Sequence, residues 1–166
     1  MRLHRFIYAC DIRQPTVRIR DADFLNQIKR VLRMSEGQSL LLCDGNNQEA
    51  EATIVAIGPD TVELRMSPDA RVIPPPARVV TLYCAILKKE NFEWVAQKST
   101  ELGVSRVVPV ITARTIKLSL NFERLQKIMH EASEQSGRGS VPILSEPLVW
   151  EDVLAQIDPH ASYMCD

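Results

Sequence analysis

Apolar and polar positions follow two rhythms along this chain. Up to about residue 72, short apolar runs alternate with turn signals. Residues 38–43 form one run, which ends in Asp44-Gly45-Asn46-Asn47. Residues 49–57 form a second, Gly58-Pro59-Asp60 turns the chain, and residues 61–66 form a third. Runs of this length bounded by Asn, Asp, Gly and Pro predict strands, and their spacing predicts a small antiparallel barrel or sandwich. One helix interrupts them. Phe24, Leu25, Ile28, Val31 and Leu32 recur at helical spacing, Asp23 stands where a cap belongs, and Gly37 lies just past the end. The apolar stripe should seal the barrel. Lys29, Arg30 and Arg33 fall on the opposite face and should point outward together.

Pro74-Pro75-Pro76 can continue neither a helix nor a central strand, so it marks a stiff boundary. Beyond it, strands and helices alternate. Residues 79–87 are a nearly continuous apolar run, as in a strand buried on both sheet faces. A helix starts near Asn91, with Phe92, Val95 and Leu102 as apolar positions and Gly103 as its end. Residues 107–111 read as a strand. Residues 122–136 read as a helix with Phe122, Leu125, Ile128, Met129 and Ala132 inward. Residues 142–144 suggest a short strand, 150–157 a helix and 161–165 the opening of another strand. This alternation predicts a mostly parallel sheet with right-handed crossovers. The fold class is therefore α/β with an N-terminal β-domain, divided into residues 1–72 and 77–166.

Composition changes the picture little. The 166 residues are 45% hydrophobic and 25% charged, as in ordinary globular proteins. No apolar run reaches the roughly 20 residues of a transmembrane helix. Met1-Arg2-Leu3-His4-Arg5 lacks a signal-peptide core, so the expected location is cytoplasmic. Cys10, Cys43, Cys84 and Cys165 are scattered and read as small hydrophobes, with no zinc knuckle or disulfide framework. Charge is more telling in its distribution. Residues 1–33 hold eight Lys/Arg against three Asp, whereas residues 34–76 hold two Arg against seven acids. A local positive patch of the first kind attracts phosphate even on a protein whose net charge is −1.

Several chemistries find no support. There is no G-x-G-x-x-G and no Walker loop. His130-Glu131-x-x-Glu134 lacks the second His of a metal helix, and no metal is expected. His4, His130 and His160 sit in unrelated contexts, which leaves no Ser–His–Asp arrangement. Two clusters remain. One is basic: Arg5 with Lys29, Arg30 and Arg33, whose planar guanidinium forks suit phosphate. The other is Glu134-Gln135-Ser136-Gly137-Arg138, where a carboxylate, an amide and a guanidinium meet at a helix–loop junction suited to a base edge and a phosphate.

At these residues the chain resembles the bacterial methyltransferases that modify N3 of a uridine in small-subunit (16S) ribosomal RNA, members of the SPOUT superfamily. The resemblance spans the whole chain and rests on an ordered set. It runs through His4-Arg5-Phe6, Arg30-Val31-Leu32-Arg33-Met34, the Gly37-Gln38 and Asp44-Gly45 turns, and Gln97-Lys98-Ser99-Thr100-Glu101-Leu102-Gly103-Val104. It continues with Pro109 and Arg114, and ends on Glu134-Gln135-Ser136-Gly137-Arg138 before Val141-Pro142. It implies a PUA-like RNA-binding β-barrel followed by the first part of a trefoil-knotted α/β domain. It also implies S-adenosylmethionine as methyl donor, ribosomal RNA of the small subunit as partner, and a homodimer. Carried over by position, Arg5, Arg30 and Arg33 would contact RNA, and Lys29, on the same basic face, is expected to join them. Lys98, Glu101, Arg114 and Gln135 would lie on the substrate side of the pocket. Glu134 would take the N3 proton, and Arg138 would balance charge on the base. The family's Gly-Pro-Glu-Gly-Gly loop and its Leu-Arg-x-Glu-Thr-Ala run do not occur here. Donor-binding residues are thus expected beyond Asp166, and this stretch alone is expected to be inactive.

Two other classes stay open on the residues alone. A non-catalytic RNA-binding or ribosome-assembly module would use the same arginines. A small metabolic α/β enzyme would have no affinity for RNA and would leave those arginines unexplained.

Overall fold

In a computed structural model the described residues are 3–115 and 120–165. They form two compact units, the first comprising Met1–Pro75 with Glu134–Ser140, the second Pro76–Ser133 with Val141–Asp166.

The first unit is a six-stranded sheet. Its strands are β1 (Arg5–Ile7), β2 (Thr16–Ile19), β3 (Ser39–Cys43), β4 (Gln48–Ile57), β5 (Val62–Met66) and β6 (Arg71–Val72), in the order β1-β3-β4-β5-β2 with β6 beside β4. The β3–β4 hairpin forms where the Asp-Gly-Asn-Asn signal lies. Asp44 Oδ1 accepts from the amides of Asn46 at 2.7 Å and Gln48 at 3.1 Å, and Gly45 and Asn47 take the left-handed conformations that the turn needs. The β4–β5 pair is antiparallel with an irregularity between Ile54 and Ala56. β1 pairs parallel to β3, which the local pattern does not announce, because three residues are too few to show a period. Alternate positions point inward, so Ile19, Leu40, Leu42, Ile54 and Leu64 fill the core with Phe6 and Ile28. The Phe6 and Phe24 rings meet at 4.8 Å.

The helix over this core differs from its expected form. Asp21, not Asp23, caps it by accepting from the Phe24 amide at 2.8 Å. The α-helical part, α1, covers only Ala22–Asn26, and Gln27–Val31 continue as a π-helical turn. The extra residue per turn breaks the 3.6-residue stripe. Val31 is therefore carried out to 65% exposure, and Met34, whose amide bonds Ile28 O, is buried in its place.

The second unit is a four-stranded parallel sheet. Its strands are β7 (Thr81–Ala85), β8 (Arg106–Ile111), β9 (Ile143–Leu144) and β10 (Leu148–Val149), with β8 bonded to the other three. Its helices are α2 (Lys89–Glu101), α3 (Phe122–Ser136) and α4 (Trp150–Gln156). The core gathers Phe92, Ala96, Val107, Leu125 and Met129. The expectation for 79–87 is corrected. Among the described residues β7 pairs only with β8, Thr81 to Cys84 are half-buried, Ala85 is exposed, and Val79 is 86% exposed. An apolar run identifies a strand without showing that both its faces are covered. Leu102 is likewise exposed: it is the C-cap of α2, two residues past Thr100, the last of the buried face with Phe92, Ala96 and Ser99. Residues 161–165 form no strand and are exposed. Among the described residues no helix is long and apolar enough to cross a membrane.

Candidate functional site

Three groups of side chains carry the chemistry expected of the chain, and each lies within one unit.

The first is the basic end of the π-helical turn. Arg30 and Arg33 are exposed, and among the described residues neither forms an ion pair. Arg33 has φ +50, a left-handed backbone that non-glycine residues adopt at a cost of about 1 kcal/mol or more. Lys29 departs from the expected outward trio. It is half-buried, and its Nζ donates to the carbonyls of Gly58 and Pro59 in the β4–β5 turn. The π-turn thus divides the three cations into one that staples a turn and two that face solvent.

The second group surrounds residues 134–140, which cluster with the first unit. Glu134 is 8% exposed, and its Oε1 accepts from the Ile7 amide at 2.9 Å. Arg5, expected to face RNA, is turned inward with its side chain 16% exposed. Its Nη1 donates to Gly137 O at 3.0 Å and its Nη2 pairs with Glu49 Oε2 at 2.8 Å. Glu49 is 2% exposed and also takes Arg71 Nε at 2.6 Å. Gly139 O accepts from the Asn47 amide at 2.9 Å and from Cys43 Sγ at 3.1 Å. Burial lowers the Arg138 guanidinium from its ordinary value, and its Nε donates to Ser140 O. Gln135 is exposed. The contacts of Arg5 with Gly137, Glu134 with Ile7 and Cys43 with Gly139 are not legible in local sequence, because they join residues 96 to 132 positions apart. Of the cysteines, Cys43 is buried, Cys10 and Cys84 are half-buried and Cys165 is exposed. Burial, helped by Asp44 and Asp11, pushes the Cys10 thiol up to about 11, so little thiolate exists near neutral pH.

The third group lines a cleft of about 820 Å³ in the second unit, past the C-terminal ends of β7 and β8. Ligands of open parallel α/β sheets gather at such strand ends. Lys88, Lys89 and Arg114 stand around it, over a floor that includes Leu87, Leu120 and the buried Phe92. Glu93 also lines it, but Arg124 grips that carboxylate with two bonds of 2.6 and 2.8 Å and holds it below its usual pKa. Arg114 is the one expected substrate-side residue found here. Lys98 and Glu101 pair with each other at 2.8 Å on a later stretch of α2, and neither lines the cleft. Hydrogen bonds from Lys98 and Gln97 hold the Glu101 carboxyl below its ordinary value. Lys88 and Lys89 were not singled out by the sequence, although a cation pair straight after an apolar run and before a helix was the available signal.

Known proteins match this arrangement in sequence and in shape. A family model described as an RNA methyltransferase domain matches residues 74–166, and one described as an RNA methyltransferase PUA domain matches residues 28–72. The protein named ribosomal RNA small subunit methyltransferase E of Rickettsia conorii is 32% identical over 130 residues, covering 78% of this chain and 53% of that protein. Its namesake from Bacillus subtilis is 29% identical over 144 residues, covering 80% and 54%. The chain spans about half the length of these curated relatives. Among solved structures, a methyltransferase of Legionella pneumophila in complex with S-adenosylmethionine superposes with a TM-score of 0.85 at 28% identity, over 96% of this chain and 69% of that one. A ribosomal RNA small subunit methyltransferase E of Neisseria gonorrhoeae, bound to S-adenosylmethionine, gives 0.84 at 25% identity, over 95% and 67%.

Proposed function

The chain belongs to the RNA methyltransferase family, a PUA domain leading into a SPOUT α/β domain, and on that premise we propose that its whole protein transfers a methyl group from S-adenosylmethionine to N3 of a uridine in 16S ribosomal RNA. In this reading residues 1–72 bind RNA and residues 77–166 are the first part of the methyltransferase domain. The observation that carries it is the exposed couple of Arg30, in the π-turn, and Arg33, two residues past it at φ +50, which form no ion pair among the described residues and lie inside the PUA match, ahead of the methyltransferase match. The resemblance also supports a cytoplasmic, homodimeric whole protein.

S-adenosylmethionine supplies an electrophilic sulfonium methyl. With a sulfonium, an ammonium and a carboxylate it is net positive, and the cleft of Lys88, Lys89 and Arg114 does not fit it. The described residues are accordingly given no part in holding the donor. Their part is to bind and orient RNA. Glu134 and Arg138, the expected proton acceptor and charge partner, are read as positioning residues, since Glu134 holds segment 134–140 on β1 through the Ile7 amide.

Three measurements test this. In the whole protein, Glu134→Gln keeps an acceptor for the Ile7 amide, so turnover and its pH profile are expected to stay near wild type. A large loss of turnover, with the alkaline rise of the pH profile abolished, would restore Glu134 to proton transfer. Separately, Arg30→Ala with Arg33→Ala should weaken binding to small-subunit ribosomal RNA and lower the slope of log K against log salt by about 1 per arginine. Mass spectrometry of ribosomal RNA treated with the whole protein should find 3-methyluridine. Methylation at a carbon or a ribose oxygen would overturn the N3 assignment, and RNA binding with no methylation would favour the assembly-module reading.

A further inference from the structure

We propose that the cleft of the second unit is a seat for single-stranded RNA, with phosphates on Lys88, Lys89 and Arg114 and a base or ribose face on its apolar floor. This rests on the RNA methyltransferase reading and adds a second RNA contact, remote in sequence from Arg30 and Arg33.

Charge comes first. Glu93 is the acid that lines the cleft, and it is neutralised by its bidentate partner Arg124. Lys88, Lys89 and Arg114 are exposed and, among the described residues, form no ion pair. The cleft is thus lined by three cations against one acid, Glu93, which Arg124 grips and Lys89 also attracts, an excess of positive charge that calls for an anion with several charges spread over some distance. A phosphodiester backbone has that form.

Placement strengthens the point. Lys88 is the N-cap of α2 and Lys89 its first residue. The helix dipole is positive at that end and disfavours cations there. Glu90 in the first turn and Glu93 offset part of that cost, but the exposed lysine pair over a cleft gains nothing from burial or packing. Departures of this kind are concentrated at functional positions.

The floor then narrows the class. Leu87, 41% exposed, and the partly buried Leu120 line the cleft together with the three cations. A duplex hides its base faces by stacking, so only an unpaired strand can lay a base or sugar on such a floor while its phosphates reach the rim. Arg124 is in this view a positioning residue, which keeps Glu93 from repelling the strand.

The test uses the chain with a single-stranded fragment of small-subunit ribosomal RNA, read by filter binding across a salt series. The variant Lys88→Ala/Lys89→Ala/Arg114→Ala is expected to bind about tenfold or more weakly at low salt, with the salt slope reduced by about 2. The charge-keeping variant Lys88→Arg/Lys89→Arg should bind as wild type, and unchanged thermal melting of each variant excludes unfolding. A perfect RNA duplex should lose much less affinity than the single strand. Unchanged single-strand affinity in the triple variant, alongside a loss in Arg30→Ala/Arg33→Ala, would overturn the cleft and leave the RNA reading standing. No binding by the wild-type chain would sink that reading itself. A triple variant that loses heat of binding for S-adenosylmethionine while keeping RNA affinity would assign the cleft to the donor and overturn the proposal.

Discussion

Glu49→Ala is expected to lower the unfolding free energy of the chain by about 3 kcal/mol, seen as a drop in urea midpoint with little change in slope. Glu49 is 2% exposed and holds two guanidiniums, Arg5 Nη2 at 2.8 Å and Arg71 Nε at 2.6 Å. Its removal leaves Arg5, itself largely buried, as a charge without its counter-ion. The two arginines are not equal partners. Arg71 is 67% exposed, so water screens it, and Arg71→Ala should cost less than about 1 kcal/mol. Arg5→Ala should fall between these limits, since it also removes the bond to Gly137 O but leaves Glu49 with Arg71. Equal losses from Glu49→Ala and Arg71→Ala would show that the buried pair is not what stabilises the first unit.

The second large effect is expected at Gly139. A Cβ built there would lie 2.7 Å from Asn47 Cα and 3.0 Å from Ile73 Cδ1. Asn47 cannot easily retreat. It sits at φ +63 in the β3–β4 turn, its amide bonds Gly139 O, and its carbonyl accepts from the Ile73 amide at 2.7 Å. Gly139→Ala should therefore cost about 2–3 kcal/mol or detach the segment, which hydrogen exchange at the Asn47 amide would reveal. Gly137→Ala is the control. Nothing lies within 4 Å of its would-be Cβ, so only the positive φ of +80 is charged against it, at about 1 kcal/mol. A Gly139→Ala variant as mild as Gly137→Ala would mean that the approach of the two backbones relaxes freely.

What could be read from the sequence was local. The 3.6-residue period of Leu125, Met129 and Ala132 identifies α3 to the residue, and the Asp-Gly and Gly-Pro-Asp turns place β3, β4 and β5 to within a residue. Failures occur where local rules are overridden. The π-turn that exposes Val31 has no propensity signature. Strands of two or three residues, such as β1 and β10, are set by their neighbours and not by their own pattern. The basic and turn residues were visible as types, but their roles were not. Arg5 and Glu134 read as surface chemistry and instead face each other's strand and loop through contacts more than 120 residues apart in sequence. Lys88 and Lys89 precede the expected helix start near Asn91 and drew no reading of their own, and only the cleft beside them gives their charge a purpose.

The composition of the first unit from Met1–Pro75 and the distant segment Glu134–Ser140 has a consequence for the order of synthesis. Residues up to Pro75 leave the ribosome with the Ile7 and Asn47 amides still lacking their partners in the finished fold and with Arg5 holding Glu49 but not yet the Gly137 carbonyl. Those partners follow about 60 residues later, a delay of roughly 3–13 s at bacterial elongation rates. During that interval water has to satisfy a site that will later be dry, and closing it means bringing together positions over 120 residues apart, a slow kind of contact to form. The last step of folding for the earliest-made strand is thus governed by the arrival of a late one. Refolding that is monophasic for β3–β5 and delayed for the amide of Ile7 would be its kinetic signature.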